Sequence, residues 1–316
     1  MKTKLFRIIS MLMLVVLLFV LVTGIAGAIA KSNLAKQYPA PGQLVDVGGY
    51  KMHINCTGQG SPTVILDAGW AEFSVAWAQV QPEVAKSTRV CSYDRAGYGW
   101  SEPSPHPRTA NTEVEELRTL LVNADVQGPY VLVGLVLVDS THEEQDIRRS
   151  AEVPKFAELQ KRGNEQLFGQ FRLFALMSST GLMALAQQSI PDPGLPKDAF
   201  AQYRAALATG GYFETGIAEM NALEEMLTKG RAMRITSFGN MPLIVLSAGR
   251  WEPGSDFSEA ENKKLREVFQ AIQSELAALS SEGKQIIAEQ SGHNIQNDQP
   301  DLVIDAVREI VDAIQK

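Results

Sequence analysis

The chain has 316 residues, 45% hydrophobic and 21% charged, a globular composition that allows one large domain with an insertion or two domains. Its formal net charge is −7, and setting aside Lys2, Lys4 and Arg7, the only charges in the first thirty residues, takes the remainder to −10. A body this acidic lacks the clustered Lys and Arg that phosphate binding needs, which argues against a nucleic-acid partner.

Ile8 to Ala30 carries no charge and is rich in Leu, Val and Ile. As a helix it would measure about 34 Å, against a hydrocarbon core of about 30 Å. Residues 1–31 therefore read as a cytoplasmic stub and a transmembrane anchor, with the membrane as the partner of this segment. Lys2, Lys4 and Arg7 all precede the span, so the positive-inside rule makes the protein single-pass with its body extracytoplasmic. Ala28-Ile29-Ala30 has the small-x-small form of a cleavage site, so secretion after cleavage is the alternative; a signal core is, however, usually only about 7 to 15 residues long.

Residues 32–43 read as a polar, Pro-containing tether. Leu44 to Val47, Gly48-Gly49 and Tyr50 to Cys56 then predict a β-hairpin. Thr63 to Leu66 and Thr88 to Tyr93 are short β-rich runs, each delivering a Gly-containing loop. Thr112 and Glu115 have capping-box form and open a helix through Leu117, Leu120 and Leu121, so strands alternate with helices as in an α/β sheet. Cys56 and Cys91 fall in two of these strands, without a spacing suited to zinc. A disulfide between them is open if the strands are neighbours in an oxidising compartment; buried free thiols are the alternative.

From residue 151 to 236 the periodicity is helical, with breaks at Pro191-Asp192-Pro193-Gly194 and Gly210-Gly211, which reads as an inserted helical cap. Strand alternation resumes over 237–316: a strand at Pro242 to Leu246, a capped helix from Ser258 to Leu279, and a last strand at Lys284 to Ala288. Leu302, Ala306, Val307, Ile310 and Ile314 form the buried stripe of a final helix.

Val64-Ile65-Leu66-Asp67-Ala68-Gly69, the turn Tyr93-Asp94-Arg95-Ala96-Gly97-Tyr98-Gly99-Trp100-Ser101 and Ser291-Gly292-His293 occur in the order used by α/β-hydrolases. From Leu44 onward the chain resembles that family, in its serine esterase and lipase branch. The resemblance implies a mostly parallel central sheet flanked by helices, in two segments, 44–150 and 237–316, separated by the cap. It also implies a Ser-His-acid triad acting on a small apolar carboxylic ester, without cofactor or metal.

By this resemblance His293, on the loop after the last strand, is the general base. The acid that holds its tautomer follows an earlier strand: Glu252 is the first candidate, with Asp256 and Asp139 as alternatives. Gly69 permits close backbone approach, and the Trp70 amide would supply half of an oxyanion hole. The turn from Asp94 to Trp100 reads as a wall of the site.

The nucleophile is not found. The family carries it in G-x-S-x-G, a sharp strand-to-helix turn, and no such pentapeptide occurs here. Tyr130-Val131-Leu132-Val133-Gly134 instead runs directly into Leu135-Val136-Leu137-Val138-Asp139-Ser140. Adjacent parallel strands need a crossover of at least about 10 to 12 residues, so the sequence reads as having one central strand-helix unit deleted, and reduced stability and lost activity are expected. Substitutes are weak. Ser140 lacks the glycines of an elbow, Asp139 as a nucleophile has the same defect, and Ser237 in Thr236-Ser237-Phe238-Gly239 precedes a strand. His142-Glu143-Glu144 reads as a polar helix start. The chain thus reads as an impaired hydrolase; the alternative is a non-enzymatic ligand-binding or interaction protein on the same scaffold.

Overall fold

The computed structural model describes residues 2–126, 134–233, 235–251 and 254–315. The apolar span forms α1 (Lys2–Gln37), which continues past Ala30 instead of ending in a tether, because Leu34 is buried against the inserted helices and Lys31 Nζ donates to the Ser178 carbonyl at 3.0 Å. A connection as short as Tyr38 to Gly42 then leads into the hairpin β1 (Gln43–Asp46) and β2 (Lys51–Thr57). Its turn needs positive φ at Gly48 and Gly49 (121° and 97°), and the Asp46 carboxylate accepts from both glycine amides.

Next come β3 (Val64–Leu66), a 3₁₀ turn at Ser74–Trp77, α2 (Gln81–Val84), β4 (Val90–Tyr93), α3 (Ala110–Asn123) and β5 (Leu135–Val138). The helix α3 starts before the expected Thr112–Glu115 box: Thr109 is its cap, and its side chain accepts from the Thr112 amide. The capping hydroxyl stands three residues before the amide it satisfies, so Thr112 is the donor side of the bond. The first apolar run, Tyr130 to Val133, lies outside the described residues; the second is β5.

Five helices follow, α4 (Gln145–Glu152), α5 (Lys155–Ser179), α6 (Leu182–Ala186), α7 (Lys197–Thr209) and α8 (Tyr212–Met233). The chain closes with β6 (Leu243–Ala248), α9 (Glu259–Ala277), β7 (Gly283–Ala288), the short α10 (Ile295–Asp298) and α11 (Pro300–Ile314). In α9 the capping box of Ser258 and Glu261 is complete, satisfying orphan amides of the first turn.

The strands form two sheets among the described residues. One has the order β1-β2-β4-β3, antiparallel except for the β3–β4 pair; the other is fully parallel in the order β5-β6-β7. Cys56 and Cys91 are directly opposite partners on β2 and β4 and form a disulfide.

One core joins the two sheets on one face. Leu66 and Val90 pack with Ile244 and Leu246 under α11, which contributes Val303, Ile304, Val307, Ile310 and Val311. Truncating a residue such as Ile310 to Ala would cost roughly 2–5 kcal/mol. On the opposite face the described residues fall into two clusters. Met52, Ile54, Cys91 and Tyr93 pack against Leu120 and Leu121 of α3, whereas Leu243 and Val245 pack against Leu276 and Ala277 of α9 as a separate cluster. The burial of the strands follows this division: Leu243 to Ser247 of β6 are buried, while every residue of β5 is only half-buried.

Candidate active site

Loops at the C-terminal ends of the parallel strands converge on one place, where open α/β sheets present their ligands. The residue after β5, Asp139, adopts a left-handed conformation (φ 48°), which Asp tolerates better than most residues. Its amide donates to the Leu246 carbonyl at 2.8 Å, and its Oδ1 accepts from the Ala248 amide at 2.8 Å. The carboxylate is thus fixed from β6, and its other oxygen, Oδ2, lies 2.7 Å from His293 Nδ1.

His293 stands on the loop between β7 and α10. Asp298 shapes that loop by accepting from the Gly292 amide (3.1 Å) and from Ser291 Oγ (3.2 Å), while the Arg250 amide donates to the Ser291 carbonyl. The hydrogen bond to Asp139 raises the imidazole pKa above its usual value, since the carboxylate favours the charged ring. Among the described residues Asp139 is the one side chain hydrogen-bonded to His293, and no hydroxyl or thiol among them bonds to the ring.

Of the three acids considered, the structure brings Asp139 to the histidine. Asp256 is exposed in the turn before α9, and Glu252 lies outside the described residues. Ser140 is bonded through its carbonyl to Gln273, and Ser237 Oγ accepts from Gly239 in the loop before β6. His142 Nδ1 accepts from the Glu144 amide, the local turn of a helix start, and no cluster of metal-ligating side chains occurs among the described residues.

The loop after β3 forms the facing wall. Gly69 and Trp70 are there, and among the described residues nothing accepts from the Trp70 amide, which leaves it available to a substrate oxygen. The Trp70 indole donates to the Gly216 carbonyl (3.1 Å) and stacks on Phe171 of α5 at 5.4 Å. Arg95 holds this loop: its guanidinium donates to the Ala68 and Gly69 carbonyls and pairs with the buried Glu219 of α8, which also accepts from Tyr98 Oη at 3.0 Å. The Arg95–Tyr98 turn, expected as a wall, is therefore also the brace between the loop and the inserted helices.

Sequence reasoning missed Glu72. Its carboxylate receives Gly69 N–H at 3.4 Å and Gln296 Nε2 at 3.4 Å, and it lies close enough to His293 for the two charges to interact. Burial pushes its pKa up. Only proximity to Gly69 in sequence could have hinted at it, because no pattern marks a loop glutamate as site-facing.

No family model matches the sequence. Among curated proteins the chain is 25% identical over 262 residues to the uncharacterised Bacillus subtilis protein YqjL, spanning 80% of this chain and 85% of that one. It is 23% identical over 286 residues to an AB hydrolase superfamily protein of Gibberella zeae, spanning 80% and 87%. Among solved structures, the epoxide hydrolase CorEH matches with a TM-score of 0.57 and 17% identity over 86% of this chain and 98% of that one. A haloalkane dehalogenase loop variant from Bradyrhizobium elkanii matches with a TM-score of 0.57 and 17% identity over 86% and 97%. The chain has the α/β-hydrolase fold.

Proposed function

We propose that this protein is a hydrolase scaffold of the serine esterase type that lacks its nucleophile, together with the strand, elbow and helix that would carry it. The Asp139–His293 pair at the strand ends, with no hydroxyl or thiol hydrogen-bonded to the imidazole among the described residues, is the observation that carries this reading. An oriented, carboxylate-backed imidazole is the general base of acyl transfer, and a pure binding pocket has no need of it.

Two further features support the missing unit. Among the described residues β3 and β5 each pair on one side only, each being the end strand of its sheet. Among the described residues the clusters that hold α3 and α9 are separate, as they would be if a helix between them had been removed. Glu72 works against ester chemistry as the chain stands, since its carboxylate occupies the Gly69 amide on the wall where an oxyanion would form. Intact relatives would act on small apolar carboxylic esters.

We also read α1 as a single-pass anchor with the body extracytoplasmic. Within Ile9–Gln37 an 18-residue stretch has a mean hydropathy of 2.9 and is almost wholly unburied, and the Cys56–Cys91 disulfide suits an oxidising compartment.

The test inserts a strand–G-x-S-x-G–helix segment between Gly134 and Leu135 of the full chain in lipid nanodiscs and follows p-nitrophenyl ester hydrolysis. Turnover is expected in the grafted protein alone, and His293→Ala should abolish it. Turnover dependent on His293 in the ungrafted chain would overturn the reading.

A further inference from the structure

We propose that the corner between α5 and α6, from Leu176 to Leu185, rests in the headgroup layer of the bilayer that α1 crosses, so that the inserted helices sit on the membrane instead of hanging from a free tether. This rests on reading α1 as the membrane span.

Three observations carry it. The first is rigid docking of the anchor. Gly27 of α1 and Gly181, the N-cap of α6, meet backbone to backbone: a Cβ built on Gly27 would lie 2.7 Å from Gly181 Cα, so neither position tolerates a side chain. Lys31 and Leu34 extend the contact along the same helix. The second is level. Counting from Ile8, a helix crosses a hydrocarbon core of about 30 Å in roughly 20 residues, which brings its outer boundary to the neighbourhood of Gly27. Gly181 is therefore held at the boundary itself, and the ends of α5 and α6 beside it lie within the adjoining interface.

The third is chemistry. At this corner Leu173, Leu176 and Leu185 are 55%, 60% and 48% exposed, and Ile25 and Ile29 of α1 are likewise exposed at the same level. Large apolar side chains grouped this way on an acidic protein mark a surface that is covered. From Arg172 to Gln188, and from Ile8 to Gln37, the sequence holds no Asp or Glu, only Arg172, Lys31 and Lys36. The corner is thus free of acids in a body of net charge −10, and a headgroup layer meets apolar side chains flanked by cations without repulsion.

Both cysteines are joined in the disulfide, so a single introduced cysteine is the only free thiol. We would place an environment-sensitive fluorophore at Leu17→Cys, Leu176→Cys, Leu185→Cys and Val114→Cys, the last on the exposed face of α3, in the full chain in phosphatidylcholine–phosphatidylglycerol nanodiscs. Lipids spin-labelled near the headgroup should quench the Leu176 and Leu185 probes by at least about half, as for a side chain seated 5–10 Å into the interface, and leave Val114 unquenched. Gly27→Leu should abolish quenching at Leu185 while tail-labelled lipid still quenches Leu17. Quenching at Leu17 with none at Leu176 and Leu185 overturns the seated corner and keeps the anchor; no quenching at Leu17 overturns both.

Discussion

Asp139 and His293 are 154 positions apart in the chain and 2.7 Å apart in space, with side chains 7% and 77% exposed. A buried carboxylate thus presents an open imidazole. The bond raises the folded-state pKa of His293 above 6.5. A raised histidine pKa stabilises the fold most at low pH, and that contribution fades as pH rises through the folded value. Asp139→Asn should lower the His293 midpoint in an NMR titration. In the elbow-grafted protein, where the neutral ring is the base, activity should rise with pH through a midpoint above 6.5, and Asp139→Asn should cost about 10⁴ in kcat. An unchanged midpoint in the variant would show that the pair is not formed in solution.

Glu72 has the opposite consequence. Burial raises its folded-state pKa above 4.5, so the unfolded chain ionises first as pH rises, and stability falls through the window that starts at 4.5. Glu72→Gln should flatten this part of the profile in urea unfolding compared at about pH 4 and about pH 8. It should also lower the His293 midpoint, since the Glu72 charge helps to raise it. A profile identical to wild type would mean that the carboxylate is solvated.

The Arg95–Glu219 pair is buried on both sides, with Arg95 further bonded to the Ala68 and Gly69 carbonyls. Glu219→Ala would leave an uncompensated buried guanidinium and a Tyr98 hydroxyl without its acceptor, and should cost about 3–5 kcal/mol. Chemical denaturation measures this directly, and a loss below about 1 kcal/mol would mark the pair as solvent-screened.

Much of this architecture was legible before any coordinates. The Gly48-Gly49 turn and the cap of α9 at Ser258 are short-range patterns that formed as read, and of the stripe read on α11 Ala306, Val307 and Ile310 are buried while Leu302 and Ile314 are half-buried. The carboxylate beside His293 was harder to read, because an Asp, a Glu and a second Asp all follow strands. What decides is which strand end faces the histidine loop, and that is a property of sheet order and of the β6 amides that hold Asp139. Glu72 and Asp298 were invisible for the same reason: their partners, Gln296 and the Ser291–Gly292 loop, are assembled by tertiary structure. The end of α1 was misread because Lys31 to Gln37 is polar by composition, whereas docking on the inserted helices keeps it helical.

The parting of the two sheets makes a last prediction that needs no graft to begin with. Along β5, the amides of Leu135 and of Asp139 beyond its end donate to the Pro242 and Leu246 carbonyls on the β6 side. Successive amides of a strand alternate in direction, so those of Val136 and Val138 point away from β6, on the side of β5 left unpaired among the described residues. In hydrogen exchange the Val136 and Val138 amides should exchange by local opening, well ahead of the buried β6 amides from Leu243 to Ser247, which should follow global unfolding. Inserting the strand-elbow-helix segment between Gly134 and Leu135 should give those two amides acceptors and bring them to the protection of β6, with a rise in melting temperature as the half-buried residues of β5 are covered. If Val136 and Val138 are already protected at the global level in the ungrafted chain, the sheet is closed there and the missing-strand reading fails with it.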